Sequence, residues 1–464
     1  MSSDQQPKRQ RAGPGAWQAA GATAKGKKVP STRVDLKLFQ SDPVRVLYLM
    51  AQRFERPLIG LHLGKSFIYV VQHPDFARHL LQTRVENYRK SYGPIAQVFG
   101  DSILITQGRK WQKLRKLSQP AFATARLKSM PPVIAAATDA VLEEWAPAAG
   151  TGTPFAVDRG VQQITLNVVL GMLFNASIAS FGPRVMDEVE TALVIAARFA
   201  WDVTGEVRRR RPDLDRRFAL AVQRVSRMTR GFMLRRAAVD PQPDDLLKLL
   251  FEARNDPEFP EMTDRQVRNE IVTFVIAGYE TTATALSWTI RLLAEHPEMQ
   301  ARVQAEIDQA VGDRVPEYDD LDRLPLLGAV FAEAMRLYPP VPMLSRFANE
   351  EDSFEGVSIP KGLQLTISVV ALHRQAALWE RPNDFWPERF LPEHAKERYP
   401  FSYLPFSAGP RACIGHRFAM IEGPLVLARM LQRYRFSLGP VSPSYVWSIS
   451  MRPKGGHQLL IERR

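Results

Sequence analysis

One cysteine in the chain has the surroundings of a metal ligand. Cys413 is the only cysteine among 464 residues, so it can form neither an internal disulfide nor a site built from several thiolates. It can supply one thiolate to one metal ion. The loop around it reads Phe406-Ser-Ala-Gly409-Pro-Arg411-Ala-Cys413-Ile-Gly415. The restrictive residues on both sides of the sulfur predict a turn that holds it in one position.

The same cysteine comes just before a predicted helix. Residues 414–433 show helical periodicity, which puts Cys413 at a helix N-terminus. Amide groups at that end favour an anion, and we therefore expect them to lower the pKa of the thiol. Gly409 and Gly415 are expected to let the backbone lie close to a flat ring. The competing interpretation is a buried structural cysteine, the usual state of a lone cysteine.

A long helix is predicted to carry the second group of reactive side chains. Residues 263–266, Thr-Asp-Arg-Gln, fit a capping box, and helical periodicity continues to about Glu295. In the middle, residues 277–282 read Ala-Gly-Tyr-Glu-Thr-Thr. A glycine inside a helix costs about 1 kcal/mol relative to alanine, and threonine is also a poor helix former. Such a break in a local rule often marks a functional position, although a packing glycine beside an exposed polar face would look the same.

Two further segments combine arginine with acidic or aromatic residues. Glu333 and Arg336 are three residues apart in a predicted helix and can form an ion pair. A second arginine, Arg389, follows in the segment Phe-Trp-Pro-Glu-Arg-Phe at 385–390. Residues 108–116 read Gly-Arg-Lys-Trp-Gln-Lys-Leu-Arg-Lys. An exposed ion pair contributes little to stability, and the basic segment on its own also fits a solvated face.

Taken in chain order, these four segments resemble the cytochrome P450 family. The cysteine loop fits the family pattern F-x-x-G-x-R-x-C-x-G, and residues 277–282 fit the A-G-x-D/E-T-T/S pattern of its distal helix. Residues 333–336 and 387–390 match its Glu-x-x-Arg helix and Pro-Glu-Arg-Phe segment, and 108–115 match its G-x-x-W-x-x-x-R pattern. The resemblance extends over residues 40–464. It implies a mainly α protein with small β-sheets (α+β), in which haem b (iron protoporphyrin IX) lies between the long distal helix and the helix after the cysteine loop.

The resemblance assigns a role to each matching residue. Cys413 would be the axial ligand of the iron. Glu280 would be the acid and Thr281 the alcohol that manage water and protons around dioxygen. The other cofactor contacts that it implies are Trp111, Arg115, Ala277, Gly278, Arg346, Phe406, Arg411 and Gly415. Of these, Trp111 and the three arginines would bind the two haem propionates, and residues 277–278 would leave room for dioxygen.

The resemblance gives the predicted ion pair a structural role. Glu333, Arg336 and Arg389 would form a buried triad that locks the cysteine loop. No chemical step is expected of these three residues.

The function that the resemblance implies is that of a haem-thiolate monooxygenase. Such an enzyme inserts one oxygen atom from O2 into a lipophilic organic substrate, by hydroxylation or epoxidation, with electrons from an external partner. In the family the basic helix at residues 109–116 lies on the thiolate side, so the resemblance implies an acidic donor there, such as ferredoxin or flavodoxin with its reductase. A peroxide-driven peroxygenase, a haem-thiolate isomerase and a haem-thiolate sensor or ligand-binding protein remain open. The intact Glu280-Thr281 pair argues against the first two.

The expected substrate pocket is largely apolar. The family topology takes its lining from residues 92–104, 274–281 and 341–345 and from a turn at 447–451. The apolar side chains in these stretches are Ile95, Val98, Phe99, Ile103, Phe274, Leu344 and Ile449. This composition predicts a lipophilic substrate, but it does not separate fatty acids, terpenoids, steroid-like molecules and polyketides.

Composition and charge limit the class of protein. No apolar run approaches the roughly 18 residues of a membrane span, so we expect no transmembrane anchor. The single cysteine fits a reducing cytoplasm. Membrane-bound members of the family carry an N-terminal anchor that is missing here, so the resemblance implies a soluble enzyme of the bacterial type. The formal charge of +13 and the pI near 9.9 would suit a nucleic acid, an anionic membrane or an acidic protein as partner. The arginines at 208–217 have no interleaved aromatic residues, which argues against nucleic acid.

The rest of the sequence predicts the helices and strands that position these motifs. Residues 1–32 are basic with few large apolar side chains, so we expect them to form a disordered tail. Residues 33–464 are expected to form a single catalytic domain that acts as a monomer. Strands are expected at 59–64 and 67–71 and again within 354–370. The region 160–235 is expected to be mostly helical, with a break where proline follows Arg208–Arg211.

Overall fold

The structure combines helices of many lengths with four small sheets. The computed structural model describes residues 29–54, 57–64, 66–90, 92–182, 184–200, 202, 205–239, 241–395, 398–440, 445–447 and 450–464. The helices are α1 (Leu36–Ser41), α2 (Pro43–Arg53), α3 (Pro74–Arg78), α4 (Ala96–Phe99), α5 (Gly108–Ser118), α6 (Thr124–Lys128), α7 (Met130–Trp145), α8 (Asp158–Phe174), α9 (Ile178–Phe181), α10 (Val185–Ala200), α11 (Glu206–Arg210), α12 (Pro212–Ala237), α13 (Leu246–Asn255), α14 (Asp264–Glu295), α15 (Pro297–Ala310), α16 (Pro325–Leu337), α17 (Val369–His373), α18 (Pro392–Ala395) and α19 (His416–Arg433). The strands are β1 (Ser31–Arg33), β2 (Leu58–Leu63), β3 (Ser66–Val71), β4 (Tyr88–Arg89), β5 (Phe155–Ala156), β6 (Met343–Ala348), β7 (Asp352–Phe354), β8 (Val357–Ile359), β9 (Gln364–Ser368), β10 (Tyr434–Leu438), β11 (Tyr445–Trp447), β12 (Met451–Pro453) and β13 (Gln458–Arg463). The predicted class, mainly α with small β-sheets, is confirmed.

The largest sheet joins the N-terminal part of the chain to its C-terminal half. Its six strands run in the order β1-β2-β3-β9-β6-β4. The predicted hairpin of β2 and β3 is present, with Leu58 opposite Val71. β9 pairs in parallel with β3 and antiparallel with β6, where Arg346 lies opposite Leu365. This pairing brings Arg346 to the same side of the molecule as the N-terminal strands.

The predicted end of the N-terminal tail is wrong. Residues 1–28 lie outside the described residues. The tail was expected to extend to residue 32, whereas Ser31–Arg33 forms β1 and pairs in parallel with β2, Ser31 opposite Gly60. An edge strand gains backbone hydrogen bonds without burying large apolar side chains, so its polar sequence gave no sign of it.

The helical region between residues 158 and 237 breaks where the sequence predicts. α11 ends at Arg210 and α12 begins at Pro212, because proline lacks the N–H that a helix interior requires but is tolerated in the first turn. Within the described residues, none of the helices has both the length and the apolar character needed to cross a bilayer.

The longest helix, α14, crosses the core. It has 32 residues, and the Thr263 side chain accepts a hydrogen bond from the Gln266 N–H. The predicted capping box is only half correct, because the Gln266 side chain instead donates to the Asp101 carbonyl and to Glu270 Oε1, both at 2.7 Å. α14 packs against α8, α12, α16 and α19, so its central residues lie deep in the molecule.

Candidate active site

The cysteine loop is a tight turn that packs against backbone. The Cys413 N–H donates to the Phe406 carbonyl at 2.9 Å, and the Phe406 ring stacks on His416 with centroids 4.2 Å apart. Gly409 has a φ of +69°, and a Cβ atom there would lie 1.9 Å from the Leu81 carbonyl oxygen. This glycine makes room for another backbone segment, and its expected role beside a flat ring stays a prediction. Gly415 meets no such obstacle, since a Cβ atom there would lie 3.8 Å from the Cys413 sulfur.

Cys413 presents its thiol to the interior of the molecule. The side chain is solvent-accessible, yet burial raises the pKa of the thiol. Its accessible surface therefore faces a cavity inside the protein. The Gly415 N–H, Arg115 and Lys90 each act to lower that pKa, but burial outweighs them. The expectation of a lowered thiol pKa is wrong in net direction, although the predicted amide contribution is present.

The centre of α14 has a short accessible window. Between Val272 and Ala294 only residues 277, 278 and 281 are not buried. The Thr281 hydroxyl donates to the Ala277 carbonyl at 2.7 Å, one helical turn earlier. Gly278 faces the other way, because a Cβ atom there would lie 2.7 Å from Val169 of α8. Gly278 thus allows two helices to pack, as in the simpler interpretation of this glycine, and Ala277 and Thr281 form the accessible face.

α14, which carries this window, packs against α19, which follows the cysteine loop. The Phe122 ring lies 5.9 Å from that of Phe274 on α14 and 6.3 Å from that of Phe418 on α19. Further along the same two helices, Thr282 lies beside the fully buried Glu422. Burial raises the pKa of Glu422 well above its usual range, and the Thr282 hydroxyl lowers it by less. The helix predicted as distal and the helix after the cysteine are therefore in contact.

A cluster of cations surrounds the cysteine loop. Arg115 Nη1 donates to the Ala412 carbonyl at 3.0 Å. Arg411 Nη2 donates to the Thr106 carbonyl at 2.9 Å, and its guanidinium lies 4.4 Å from the centroid of the Trp111 ring. Three of the predicted contacts, Trp111, Arg115 and Arg411, are thus brought together at the loop.

Two more cations complete this cluster, one of which the sequence reasoning missed. Arg346 is 3% exposed, and its guanidinium donates to the Ser345 carbonyl at 2.9 Å. Burial lowers the pKa of Lys90 well below its usual range, Arg346 and Arg411 lower it further, and Cys413 acts to raise it. Lys90 therefore lies within electrostatic reach of the cysteine and both arginines. No motif contains Lys90, so only its position in space identifies it.

These residues fit a flat cofactor that carries two carboxylates. Within the described part of the chain, Lys90, Arg115, Arg346 and Arg411 have no carboxylate at ion-pair distance, and the Trp111 indole N–H has no acceptor. Buried cations require anionic partners, and arginine and indole N–H groups suit carboxylate oxygens. The donor set thus matches the propionates of an iron porphyrin, and the accessible Cys413 thiol matches its axial ligand.

Glu280 is held by one cation and one hydroxyl group near the C-terminus. Its side chain is 4% exposed, and its Oε1 lies 3.2 Å from Arg452 Nε on β12. The same oxygen accepts a hydrogen bond from the Ser450 hydroxyl at 2.6 Å. Arg452 Nη2 also lies 3.3 Å from Glu190 Oε1 on α10, and the Glu190 side chain is 49% exposed. A chain of charged groups thus leads from the surface to the acid of α14.

The predicted triad is brought together and fully enclosed. Arg336 Nε and Nη2 bind the two carboxylate oxygens of Glu333 at 2.7 and 2.8 Å, and Arg389 Nε binds Glu333 Oε1 at 3.1 Å. Glu333 and Arg336 are both 0% exposed. The two arginines also donate to carbonyl groups of the segment between α17 and Arg389, so the triad fixes the backbone of this segment.

The triad reaches the cysteine loop through a histidine. Arg336 Nη1 donates to the His373 carbonyl at 2.8 Å, and His373 Nε2 accepts a hydrogen bond from the Leu404 N–H at 2.8 Å. Burial and the Arg336 charge lower the pKa of His373 to about 3, which keeps the ring neutral and able to accept. Leu404 lies two residues before Phe406, so His373 connects the triad to the start of the loop.

A cavity of about 530 Å³ lies beside the cation cluster. Lys90, Tyr92, Ile95 and residues 341–347 contribute to its lining, so two of the four expected pocket segments meet there. Phe274 packs on Phe122 instead. Residues 448–449, which include the expected contact Ile449, lie outside the described residues.

The sequence is similar to those of oxygenases from several organisms. A family model described as Cytochrome P450 matches residues 35–460. Cyclooctatin synthase from Streptomyces melanosporofaciens is 34% identical over 388 residues, which cover 82% of this chain and 82% of that protein. Cyclooctat-9-en-7-ol 5-monooxygenase from the same organism is 30% identical over 383 residues, with the same coverage of 82% of each. Cytochrome P450 4B1 from Homo sapiens is 30% identical over 434 residues, 88% of this chain and 83% of that one.

The fold is also similar to solved structures. The crystal structure of a cytochrome P450DA haem domain superposes with a TM-score of 0.84 at 25% sequence identity. The superposition covers 95% of this chain and 98% of that one.

Proposed function

The chain belongs to the cytochrome P450 family, and we propose that this monooxygenase hydroxylates or epoxidises a lipophilic organic substrate with electrons from an external acidic donor. Its cofactor is haem b, which supplies the activation of dioxygen when it is bound. The observation that carries the proposed site is the accessible Cys413 thiol beside four unpaired cations.

In the proposed site each residue acts through a stated atom. The Cys413 sulfur ligates the iron, and the Gly415 N–H that reaches the sulfur tempers the negative charge there. Lys90, Arg115, Arg346 and Arg411, with the Trp111 indole N–H, hold the propionates. Charge-assisted hydrogen bonds of this kind are among the strongest in proteins, and they fix the cofactor in one orientation.

Thr281 is proposed to accept a hydrogen bond at the oxygen-binding side. Its hydroxyl proton is used in the bond to the Ala277 carbonyl, so its oxygen presents lone pairs to the accessible window. Thr281 can therefore hold a water molecule or a protonated group there. Glu280 is proposed to supply protons, and it can do so only when its bonds to Arg452 and Ser450 loosen.

The cysteine assignment is tested by a difference spectrum of the reduced protein with carbon monoxide. We expect absorption near 450 nm for the wild type, the signature of thiolate ligation in this family, and its loss in Cys413→Ser with the fold retained in circular dichroism. Absorption only near 420 nm in the freshly purified wild type would exclude the thiolate ligand.

The roles of Thr281 and Glu280 are tested by the coupling of electrons to product. Thr281→Ala is expected to divert NAD(P)H electrons to hydrogen peroxide, whereas Thr281→Ser keeps the oxygen and retains coupling. Unchanged coupling in Thr281→Ala would contradict the proposed role. Product formation with peroxide alone, at a rate equal to that with ferredoxin, reductase and NAD(P)H, would favour a peroxygenase.

The substrate is proposed to be a lipophilic cyclic compound. The cavity beside Lys90 is lined largely by apolar residues such as Ile95, Leu344 and Phe347. One relative is named for its action on cyclooctat-9-en-7-ol, a cyclic alcohol, which favours a ring-containing substrate over a linear fatty acid. Titration of the ferric protein with cyclooctat-9-en-7-ol, a fatty acid, a steroid and a macrolide would rank the four classes by their shift of the Soret band. A preference for the fatty acid would contradict the proposal.

We propose that the enzyme works as a cytoplasmic monomer. A single cysteine suits a reducing compartment. Light scattering on the purified protein should give the mass of one chain, 52.4 kDa.

A further inference from the structure

Most of the excess positive charge of the protein lies on two consecutive helices. Residues 206–237, which comprise α11 and α12, contain eleven arginines and no lysine against three acidic residues, a net charge of +8. The whole chain has a net charge of +13. None of these arginines belongs to the catalytic site, so the chemistry of the enzyme does not explain the concentration.

Part of this charge is neutralised within the protein. The ion pairs are Arg208–Asp215, Arg210–Glu206, Arg211–Asp213, Arg224–Glu188 and Arg236–Asp245. Five other arginines of α12 are exposed. One of them, Arg235, donates to the Ser180 carbonyl, and the other four are Arg216, Arg217, Arg227 and Arg230. Within the described residues none of these four has a carboxylate at ion-pair distance, so their charge is directed to the solvent.

Two exposed leucines lie among these arginines. Leu220 is 40% and Leu234 is 65% exposed. Leu220 lies one helical turn after Arg216, and Leu234 lies one turn after Arg230, so all four are on the same side of α12. The row from residue 216 to residue 234 spans about 27 Å. We call the residues Arg216, Arg217, Leu220, Arg227, Arg230 and Leu234 the arginine face.

We propose that the arginine face docks the protein onto a bilayer of anionic phospholipids. Guanidinium groups bind phosphate in a bidentate manner, and basic residues near a membrane are each attracted to its negative surface. Leucines between the cations can enter the boundary between headgroups and acyl chains. The binding is peripheral and sensitive to salt, because it depends on exposed charges.

The surroundings of α12 favour a lipid surface over a nucleic acid. The exposed apolar residues of the arginine face are leucines, whereas single strands are bound by stacking on aromatic rings. Beneath the same helix lies a cavity of about 570 Å³ lined by Phe218, Gln223 and, on α14, Val272. Gln223 is exposed and lies between Leu220 and Arg227 in the row. The cavity therefore extends from the arginine face to the helix that carries the oxygen-binding window.

The test is co-sedimentation of the haem-loaded full chain with vesicles. We expect binding to phosphatidylcholine vesicles that contain phosphatidylglycerol, no binding to pure phosphatidylcholine, and release when salt is raised from about 0.1 M to 1 M. Replacing Arg216, Arg217, Arg227 and Arg230 by glutamine should weaken binding roughly a hundredfold. Leu220→Ser with Leu234→Ser should weaken it about tenfold.

A matched control separates the arginine face from net charge. Its substitutions, each to glutamine, are at the exposed residues Lys37, Arg265, Arg435 and Lys454, and it should bind vesicles like the wild type. The basic residues before position 29 are present in every variant. Absence of binding by the wild type, or equal loss in the control, overturns the proposal. Tighter binding to duplex DNA than to the anionic vesicles at the same salt also overturns it.

Discussion

Two buried carboxylates in this protein are balanced by partners from distant parts of the chain. Glu280 on α14 is bound by Arg452 and Ser450 near the C-terminus, and Glu333 is bound by Arg389. Removing one member of a buried pair leaves an unsatisfied charge, which costs more than the pair contributes. Each pair therefore fixes its two segments relative to each other, and for Glu280 it also restrains the proposed proton donor.

At the residue scale, the substitution Arg452→Leu tests how much the buried pair of Glu280 and Arg452 matters for stability. We expect the free energy of unfolding to fall by about 3 kcal/mol, because the Glu280 carboxylate would stay buried without its cation. Adding Glu280→Gln to the same variant should restore most of the loss. Denaturant titrations of the two single variants and the double variant measure the coupling. As a control, Arg435→Leu at an exposed position should change the free energy of unfolding by less than about 0.5 kcal/mol. If the double variant loses the sum of the two single losses, Glu280 and Arg452 do not act as a pair.

Sequence patterns located the residues of the site better than their partners. Cys413, Thr281 and the pair of Glu333 and Arg336 were found from local spacing, because each lies within one loop or helix. Only the resemblance to the family joined Arg389 to that pair. Lys90 and the link from Glu280 to Arg452 could not be found in this way, since they depend on contacts between segments far apart in the chain. Gly278 was placed correctly on the helix, but the direction of its missing side chain depends on Val169 of α8.

At the scale of elements, the cysteine loop depends on close backbone contact with the segment after α3. Gly409→Ala would add a positive-φ residue and a clash with the Leu81 carbonyl. We expect it to lower the free energy of unfolding by about 3 kcal/mol and to reduce absorption near 450 nm in the carbon monoxide spectrum. Calorimetry and that spectrum measure the two effects.

A glycine with the same backbone conformation but open surroundings serves as control. Gly150 has a φ of +77°, and a Cβ atom there would meet nothing within 4 Å. Gly150→Ala should therefore cost only about 1 kcal/mol and leave the spectrum unchanged. Equal losses of stability in the two variants would show that the positive φ alone, and not the contact with Leu81, makes glycine necessary at position 409.

Glu270 joins α14 to the loop before α5. Its carboxylate accepts hydrogen bonds from the Ile103 N–H at 3.0 Å and from Gln266 Nε2 at 2.7 Å. This loop supplies the Leu104 and Thr106 carbonyls that accept from Arg411. Glu270 thus connects the distal helix to the cysteine loop through one intermediate segment.

Stability should depend on pH through Glu270. Burial raises its pKa to about 7 from 4.5, while the Ile103 N–H and Gln266 act to lower it. The folded protein thus keeps a proton that the unfolded chain releases, so this stabilisation is present below pH 4.5 and is lost as the pH rises to 7. Compared with Glu270→Gln, the wild type should lose about 3 kcal/mol over this range. Parallel pH profiles of the two proteins would contradict the assignment.

At the scale of the whole molecule, the sequence predicted a single catalytic unit over residues 33–464, which stays a prediction. The hairpin of β2 and β3 and the break before Pro212 were predicted because proline, glycine and alternating residues act locally. The strand order of the large sheet was not predicted, because β9 and β6 join strands from the other end of the chain. Surface charge is likewise a property of the assembled molecule, since the folded structure decides which cations are already paired.

The electron donor is expected to bind where unpaired cations lie nearest the cysteine loop. On α5, Lys113 is paired with Glu261 at 3.3 Å, whereas the exposed Arg109 and Lys116 form no ion pair among the described residues. Arg109→Glu with Lys116→Glu should therefore slow reduction by an acidic ferredoxin about tenfold at low salt, and Lys113→Glu should slow it less. Stopped-flow reduction under carbon monoxide measures this rate. Because the attraction is screened by ions, the difference should vanish at high salt, and a difference that persists there would point to misfolding and not to docking.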